Sequence, residues 1–273
     1  MLRSLYSGVS GMRGFQTKLD VIGNNIANVN TAGFKAGRVM FKDIMSQTIS
    51  GVTAPEAGTS GGSNAMQVGL GVSMAAIDTL QTQGSAQTTN RVLDLRVDGD
   101  GFFAVSPDGE QTYLTRSGNF YLDAENQLVN ADGMFVLASG GGTITIDPTE
   151  VTAFTIAKDG EIIAVNTDGT SAGLGVNIGV TKVANPSGLE KVGGNLYRVT
   201  PNANPDGALD EITEANDTTL GTGAIISGQL EMSNVDLTNE FTEMIVAQRG
   251  FQANSRIITT SDSILEEVVN LKR

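Results

Sequence analysis

Apolar residues recur at helical spacing over the first thirty residues of the chain. They lie three and four positions apart as far as Met12 and seven apart from there to Ile26, which is the spacing that forms the seam of a coiled coil. The seam residues are Leu2, Leu5, Val9, Met12, Leu19 and Ile26. Glycines stand inside the same segment at Gly8, Gly11, Gly14 and Gly23. Because each interior glycine lowers helix stability by about 1 kcal/mol relative to alanine, this helix is expected to form only when a partner covers it.

The end of the chain repeats this spacing. Its seam residues are Leu237, Phe241, Met244, Phe251, Ile258, Leu265 and Val269. Asp236 and Thr238 are both candidates to cap the start of the helix. Two interpretations stay open, because the two helices can pack on the central part of the chain or with the helices of other subunits. The position of both seams at the chain ends, and the glycines of the first helix, favour assembly with other subunits.

The pattern between the helices changes twice. Small and polar residues dominate 43–70, which is typical of an extended linker. From 71 to 235, apolar and polar residues alternate in short runs, and Asp-Gly pairs separate these runs. Asp-Gly pairs at 98–99, 108–109, 132–133, 159–160 and 168–169 are among them. Short runs punctuated in this way predict hairpins within a sandwich-like or barrel-like β body.

The sequence therefore predicts the α+β fold class. Residues 1–42 and 236–273 are expected to form a terminal helical assembly domain with coiled-coil character. Residues 43–70 are expected to form an extended linker, and 71–235 a mainly β domain. These boundaries follow from the change between helical and alternating periodicity.

The amino-acid composition excludes most common kinds of catalytic site. The chain contains no Cys and no His, which excludes the usual zinc sites, a thiol nucleophile and a Ser-His-Asp triad. Asp98 and Asp100 are spaced like the start of a calcium loop, but Phe102 stands where that loop needs its next oxygen ligand. We expect no enzyme, no cofactor and no metal site. A secreted carbohydrate-active enzyme is the alternative from another class, and it would need carboxylates clustered in a cleft.

Net charge and hydropathy reduce the classes of partner that are expected. The net charge is −13 at pH 7, which argues against a nucleic-acid partner. The sequence shows neither the apolar stretch of a cleaved signal peptide nor a run of about 18 apolar residues, so membrane insertion is not expected. Composition alone favours a cytoplasmic protein.

A more specific pattern lies at the end of the first helical segment. The stretch reads Asp-Val-Ile-Gly-Asn-Asn-Ile-Ala-Asn-Val-Asn-Thr-Ala-Gly-Phe-Lys over 20–35. Asparagines are poor in helix interiors and bond to nearby backbone, so they predict a helix end followed by a sharp turn at glycine. This stretch resembles the N-terminal signature of the bacterial flagellar rod and hook axial protein family. The resemblance rests on Asn24, Asn25, Asn28, Gly33 and Phe34.

Further stretches agree with the same family in the same order. Residues 95–105 and 113–120 resemble its central β motif, and 185–197 resembles the second half of that domain. Residues 228–237 and 243–251 resemble its C-terminal region. The similarity extends over nearly the whole chain.

The resemblance implies a structural role. Members of the family are axial proteins of the bacterial flagellum, exported unfolded through a type III channel without a cleaved signal peptide, so the implied destination is extracellular. The resemblance also implies that the terminal helices form the inner layer of a tube and that the β domain lies outside it. The implied partners are other copies in a helical homopolymer, rod proteins, hook–filament junction proteins, the hook cap and the type III export apparatus.

Two kinds of family member remain open. The Asn-Leu-Lys-Arg ending and the stretch 244–249 resemble hook members, and the first eight residues resemble short hook members of Gram-positive bacteria. The length of 273 residues instead suits a distal rod member, because larger hook members carry an additional outer domain. The sequence favours a hook subunit, which is a flexible joint that transmits torque from rod to filament. The alternative is a subunit of the distal rod, which is a stiff drive shaft.

Overall fold

The computed structural model describes residues 2–55, 61–109, 111–146, 151–166, 170–205, 209 and 212–271. The chain forms two compact units. The helical unit consists of Met1–Ala27, Gly37–Thr79 and Asp236–Arg273, and the β unit consists of Asn28–Ala36 and Leu80–Val235. The prediction of an α+β fold with a helix at each end is confirmed.

The helical unit contains both long helices. Helix α1 spans Leu2–Ala27, and helix α2 spans Leu237–Asn270. Asp236 caps α2, because its side chain accepts a hydrogen bond of 2.9 Å from the backbone N–H of Thr238. This bond satisfies one of the N–H groups left free at a helix start.

Four strands complete the helical unit. They are β1 (Gly37–Asp43), β2 (Ser46–Ser50), β3 (Met66–Gly69) and β4 (Val72–Thr79). Strand β1 pairs with β4, and β2 pairs with β3, both antiparallel. The segment predicted as an extended linker, 43–70, therefore contains a paired two-stranded ribbon, and its residues 56–60 lie outside the described part. Because the ribbon leaves both its faces exposed, it lacks the buried side-chain pattern that would have marked it as strand in the sequence.

The remaining strands belong to the β unit. They are β5 (Ala86–Thr88), β6 (Leu95–Asp98), β7 (Phe102–Ser106), β8 (Tyr113–Thr115), β9 (Tyr121–Leu122), β10 (Leu128–Val129), β11 (Phe135–Val136), β12 (Val151–Ile156), β13 (Glu161–Asn166), β14 (Ser171–Asn177), β15 (Val180–Thr181), β16 (Glu190–Gly193), β17 (Leu196–Arg198), β18 (Ala224–Ser227) and β19 (Gln229–Glu231). In the described residues, the largest sheet runs β16-β17-β8-β7-β11-β10-β9, with β15 also paired to β7. A second sheet runs β12-β13-β14, and two further pairs join β18 to β6 and β19 to β5.

Most of the predicted Asp-Gly turns join paired strands. Gly109, Gly133 and Gly160 have φ values of +81°, +80° and +82° and lie between β7 and β8, β10 and β11, and β12 and β13. The expected hairpin at 98–99 is wrong, because β6 pairs with β18 while β7 pairs with β8, β11 and β15. The pair at 168–169 lies outside the described residues.

The core of the β unit gathers side chains from nearly all of its sheets. Phe103 on β7 and Phe120 meet edge to face, with ring centroids 5.2 Å apart. Leu95, Ile162 and Ile225 bring β6, β13 and β18 into the same cluster. Because strands from separate parts of the chain share one core, the β unit holds together through long-range packing.

Candidate assembly interface

Helices α1 and α2 run antiparallel and meet through glycines. Gly11 faces Asn254, and a Cβ atom on Gly11 would lie 2.7 Å from Asn254 Nδ2. Gly250 faces Phe15, and a Cβ atom there would lie 2.6 Å from the phenyl ring. Neither position accepts a side chain without displacing its neighbour, so the glycines are what allow the two helices to approach closely.

Strand β1 uses a further glycine of α1. The ring of Phe41 lies over Gly14, where a Cβ atom would come within 2.9 Å of Cε1. The same ring packs against Phe15 with centroids 6.3 Å apart. Three of the four glycines that weaken α1 as an isolated helix, Gly8, Gly11 and Gly14, are thus its contact points with α2 and β1.

The signature residue Asn25 fastens the end of α1 to its surroundings within the helical unit. Its Nδ2 donates to the carbonyl oxygen of Gly37 at 2.8 Å and to Oε1 of Glu240 at 3.0 Å, while Oδ1 accepts from the Gly37 N–H at 2.9 Å. Asn25 is buried, and partial burial raises the pKa of Glu240, which the Asn25 hydrogen bond opposes. One amide therefore joins α1, the start of β1 and the first turn of α2.

The other signature residues lie outside this cluster. Asn24 is exposed on α1. Asn28 belongs to the β unit, where its carbonyl oxygen accepts from the Thr31 N–H at 3.2 Å. Gly33 has φ +71°, which supports the sharp turn predicted there, and Phe34 is buried beneath the ammonium of Lys191, 5.1 Å from the ring centroid.

The predicted seam residues divide into two groups. The half-buried group consists of Leu5, Val9, Met12, Leu19, Ile26, Met244, Ile258 and Leu265. The exposed group consists of Leu237, Phe241, Phe251 and Val269. Leu2 belongs to α1, but its side chain lies outside the described part. In the described part of the chain, four of the seven predicted C-terminal seam residues are therefore exposed to solvent.

A second apolar stripe on α2 was not part of the predicted seam. Val246, Ile257, Ile264 and Val268 are between 42% and 58% exposed. At 3.6 residues per turn they lie within about 40° of one another around the helix axis. A helix stripe of this kind in contact with water is typical of a surface that another protein covers.

The strands of the helical unit add further exposed apolar side chains. On and around the β2–β3 ribbon these are Ile44, Met45, Ile49, Val52, Met66 and Val68. A groove of about 480 Å³ also lies between α1 and β4, with Val9, Leu70 and Met74 in its wall. The helical unit thus presents apolar surface on helix and ribbon alike.

Neither helix in the described part of the chain is long and apolar enough to cross a membrane.

Comparison with known proteins identifies the class of protein. Residues 5–35 match the family model described as "Flagella basal body rod protein", 96–164 match "Flagellar hook protein FlgE/F/G D1 domain", and 226–271 match "Flagellar basal body rod FlgEFG protein C-terminal". These matches fall on α1 with the signature, on the β unit, and on α2 with the strands before it.

Whole-length relatives agree. The flagellar basal-body rod protein FlgG of Bacillus subtilis is 56% identical over 273 residues, with all of both chains covered. FlgG of Borreliella burgdorferi is 36% identical over 282 residues, again with both chains covered completely. The flagellar hook protein FlgE of the same organism is 29% identical over an alignment of 449 residues that covers both chains. The chain therefore belongs to the bacterial flagellar rod and hook axial protein family, whose members are structural proteins of the extracellular flagellum and not enzymes.

Proposed function

We propose that the chain is the subunit of the distal rod of the flagellar basal body. The observation that carries this proposal is the identity of 56% with a FlgG rod protein over the full length of both chains. The hook relative needs an alignment of 449 residues at 29% identity, because its chain holds sequence that this one lacks. The sequence alone favoured the hook, and the comparisons favour the rod, which was the alternative.

Assembly in this proposal proceeds through the helical unit. Its exposed apolar residues on α2 and on the β2–β3 ribbon gain free energy when other copies cover them, at about 25 cal/mol per Å² of apolar surface removed from water. The predicted seam residues and the stripe of Val246, Ile257, Ile264 and Val268 are the contacts proposed between copies. The product is a homopolymer with a stiff, drive-shaft role.

The further partners are part of the same proposal. A distal rod subunit meets other rod proteins at one end and hook proteins at the other. Hook–filament junction proteins and the hook cap were expected for a hook subunit, and a rod subunit does not require contact with them. Export through the type III apparatus without a cleaved signal peptide remains proposed.

A deletion strain tests rod against hook. Basal bodies isolated from cells that lack this chain are imaged by electron microscopy. A rod that stops before its distal part is complete supports the proposal. A complete rod that carries no hook contradicts it and supports the hook function.

Assembly through α2 is tested with purified protein. Ile257→Asp and Ile264→Asp place a charge in the exposed apolar stripe, and Ser263→Asp places the same charge on another side of α2 as the control. The two stripe variants are expected to remain in the supernatant under conditions where the parent and the control sediment as polymer, because burying an unpaired carboxylate at an interface is costly. Polymer formation by the stripe variants at the parent's level would refute this role of the stripe.

A further inference from the structure

A fully buried ion pair lies in the β unit. Lys35 Nζ donates to Oε1 of Glu231 at 2.6 Å and to the carbonyl oxygen of Thr82 at 2.7 Å. Both charged side chains have 0% exposure to solvent. Arg116 adds a second cation, with Nη1 3.4 Å from Glu231 Oε2. Lysine and glutamate are rarely buried completely, so this cluster requires a physical reason.

The two members of the pair come from opposite ends of the chain. Lys35 ends the signature stretch, which begins inside α1 and continues past its end, and Glu231 ends β19, shortly before α2. The two segments are also joined by backbone. The Gly33 N–H donates to the carbonyl oxygen of Glu231 at 2.8 Å, and the Ala36 N–H donates to Asn234 Oδ1 at 2.8 Å. Asn28–Ala36 is therefore a built-in part of the β unit and not a free connection.

Glu231 also binds the segment between these two. Its Oε1 accepts from the Gly84 N–H at 3.0 Å, and the Leu80 N–H donates to the carbonyl oxygen of Ala36 at 2.8 Å. One carboxylate thus connects the segment after α1, the segment after β4 and the segment before α2. Each of these is a point where the chain passes between the β unit and the helical unit in sequence.

The charges in the cluster do not cancel. It holds two cations, Lys35 and Arg116, and one anion, Glu231. Burial lowers the pKa of Lys35, and the attraction of Glu231 opposes that shift. Glu231 is therefore the group on which both cations depend, because a buried cation without its carboxylate is strongly destabilising.

We propose that the Lys35–Glu231 pair is the latch that closes the β unit. The β unit reaches its native state only when the segment after α1 and the segment before α2 have met at this pair. Opening either segment opens the other, since each supplies one charge of the same buried pair. The segments adjoining both assembly helices are thereby fixed by one contact.

Variants that leave different charges in the buried cluster distinguish the loss of an ion-pair partner from a simple loss of packing. In the full chain, Lys35→Met leaves Glu231 with Arg116 as a neutral pair, whereas Glu231→Gln leaves two cations and no anion. Combining the two substitutions leaves a single cation. The double variant is therefore expected to be more stable than Glu231→Gln alone, although it carries one more substitution. Lys18→Met is the matched control, because Lys18 also pairs with a glutamate, Glu243, but their side chains keep 22% and 59% exposure to solvent.

The unfolding equilibrium of the β unit is followed by the near-ultraviolet circular dichroism of its tyrosines in denaturant. Lys18→Met should change the equilibrium constant by about fivefold or less. Lys35→Met should raise it on the order of a hundredfold. Glu231→Gln should raise it further or prevent folding, and the double variant should recover part of that loss. A Lys35→Met effect as small as that of Lys18→Met overturns the proposal, as does a double variant no more stable than Glu231→Gln.

Amide hydrogen exchange tests whether the two segments open together. In Lys35→Met the amides of Gly33, Ala36 and Gly84 should all exchange faster, on the order of a hundredfold. In Lys18→Met these amides should exchange as in the parent. Faster exchange at Gly33 and Ala36 with an unchanged Gly84 would mean that Lys35 only holds its own segment, which overturns the latch.

Discussion

The β unit and the helical unit distribute their apolar side chains in opposite ways. In the β unit, Phe103, Phe120 and Ile162 belong to a large cluster that is closed to solvent. In the described residues of the helical unit, only Ile22 and Ala247 are buried apolar side chains. Among the described residues, most of the large apolar side chains that are exposed belong to the helical unit.

This difference separates what one chain can stabilise alone from what needs other copies. Burial of apolar surface is the main favourable term in folding, so a unit with a closed core carries its own stability. The helical unit instead carries glycines at its helix contacts and apolar residues on its outside. Its stability is therefore expected to depend on assembly, and four predictions test the contrast.

The largest effect is expected from removing the same side chain in each unit. Phe103→Ala in the β unit should lower the free energy of unfolding by about 3–5 kcal/mol, because Phe103 is fully buried and leaves a cavity. Phe241→Ala in the helical unit should change it by less than about 0.5 kcal/mol, because Phe241 is 50% exposed. Denaturant titration of the unassembled protein measures both.

The same two variants should reverse their order in assembly. Phe241→Ala should polymerise only above a higher protein concentration than the parent protein does. Sedimentation measures this threshold concentration for both proteins. Equal losses of monomer stability from the two substitutions would show that the helical unit is already closed in the single chain.

Alkaline pH should act on the β unit through Tyr197. Burial raises the pKa of Tyr197 to about 12 from 10.0. A phenol with a raised pKa in the folded state contributes stability that is present below pH 10 and is lost as pH rises to about 12. The free energy of unfolding of the β unit should fall by about 2–3 kcal/mol across this range.

Tyr197→Phe provides the control for that prediction. Phenylalanine does not ionise, so this variant should lose less stability between pH 10 and pH 12 in the same titration. Lys35 has the opposite effect, because its pKa is lowered in the folded state from 10.5. At pH values just below 10.5, its contribution to the free energy of unfolding therefore increases as pH rises. An alkaline loss that is equal in parent and variant would assign the effect to other groups.

Local signals account for the parts of the fold that the sequence predicts. Helix periodicity gave α1 and α2, and Asp-Gly pairs gave the turns at Gly109, Gly133 and Gly160. The Asp-Gly pair at 98–99 differs from these three, because it joins strands that belong to different sheets. Turn chemistry fixes the local backbone, but strand pairing depends on distant residues such as those of β18.

The candidate interface was predicted only where its pattern was apolar. The glycines of α1 were interpreted as weak points, and the structure shows that Gly11 and Gly14 are contact points for Asn254 and Phe41. Their three-residue spacing on one helix face is the signal that could have found them. No local pattern could join Lys35 to Glu231, because a single lysine or glutamate in sequence is most often exposed.

Removing the cap of α2 should affect the helical unit alone. Asp236→Ala removes the hydrogen bond to the Thr238 N–H and should lower the stability of α2 by about 1 kcal/mol. Asp262→Ala, an exposed site within α2, is the control. Hydrogen exchange of the first turn of α2 should quicken only in Asp236→Ala. An equal change in both variants would mean that loss of negative charge, and not of the cap, is responsible.

The smallest effect is expected from replacing single glycines of α1 by alanine, and it should differ between Gly23 and Gly11. A Cβ atom on Gly23 would meet nothing within 4 Å in the described residues, whereas one on Gly11 would meet Asn254. Gly23→Ala should therefore stabilise α1 by about 0.5–1 kcal/mol, since alanine has the higher helix propensity. Gly11→Ala gains the same propensity but must displace the Asn254 amide, so its net effect should be smaller or destabilising. Helix content by far-ultraviolet circular dichroism measures both, and equal gains would show that Gly11 is only a weak point of the helix and that close approach to α2 does not require it.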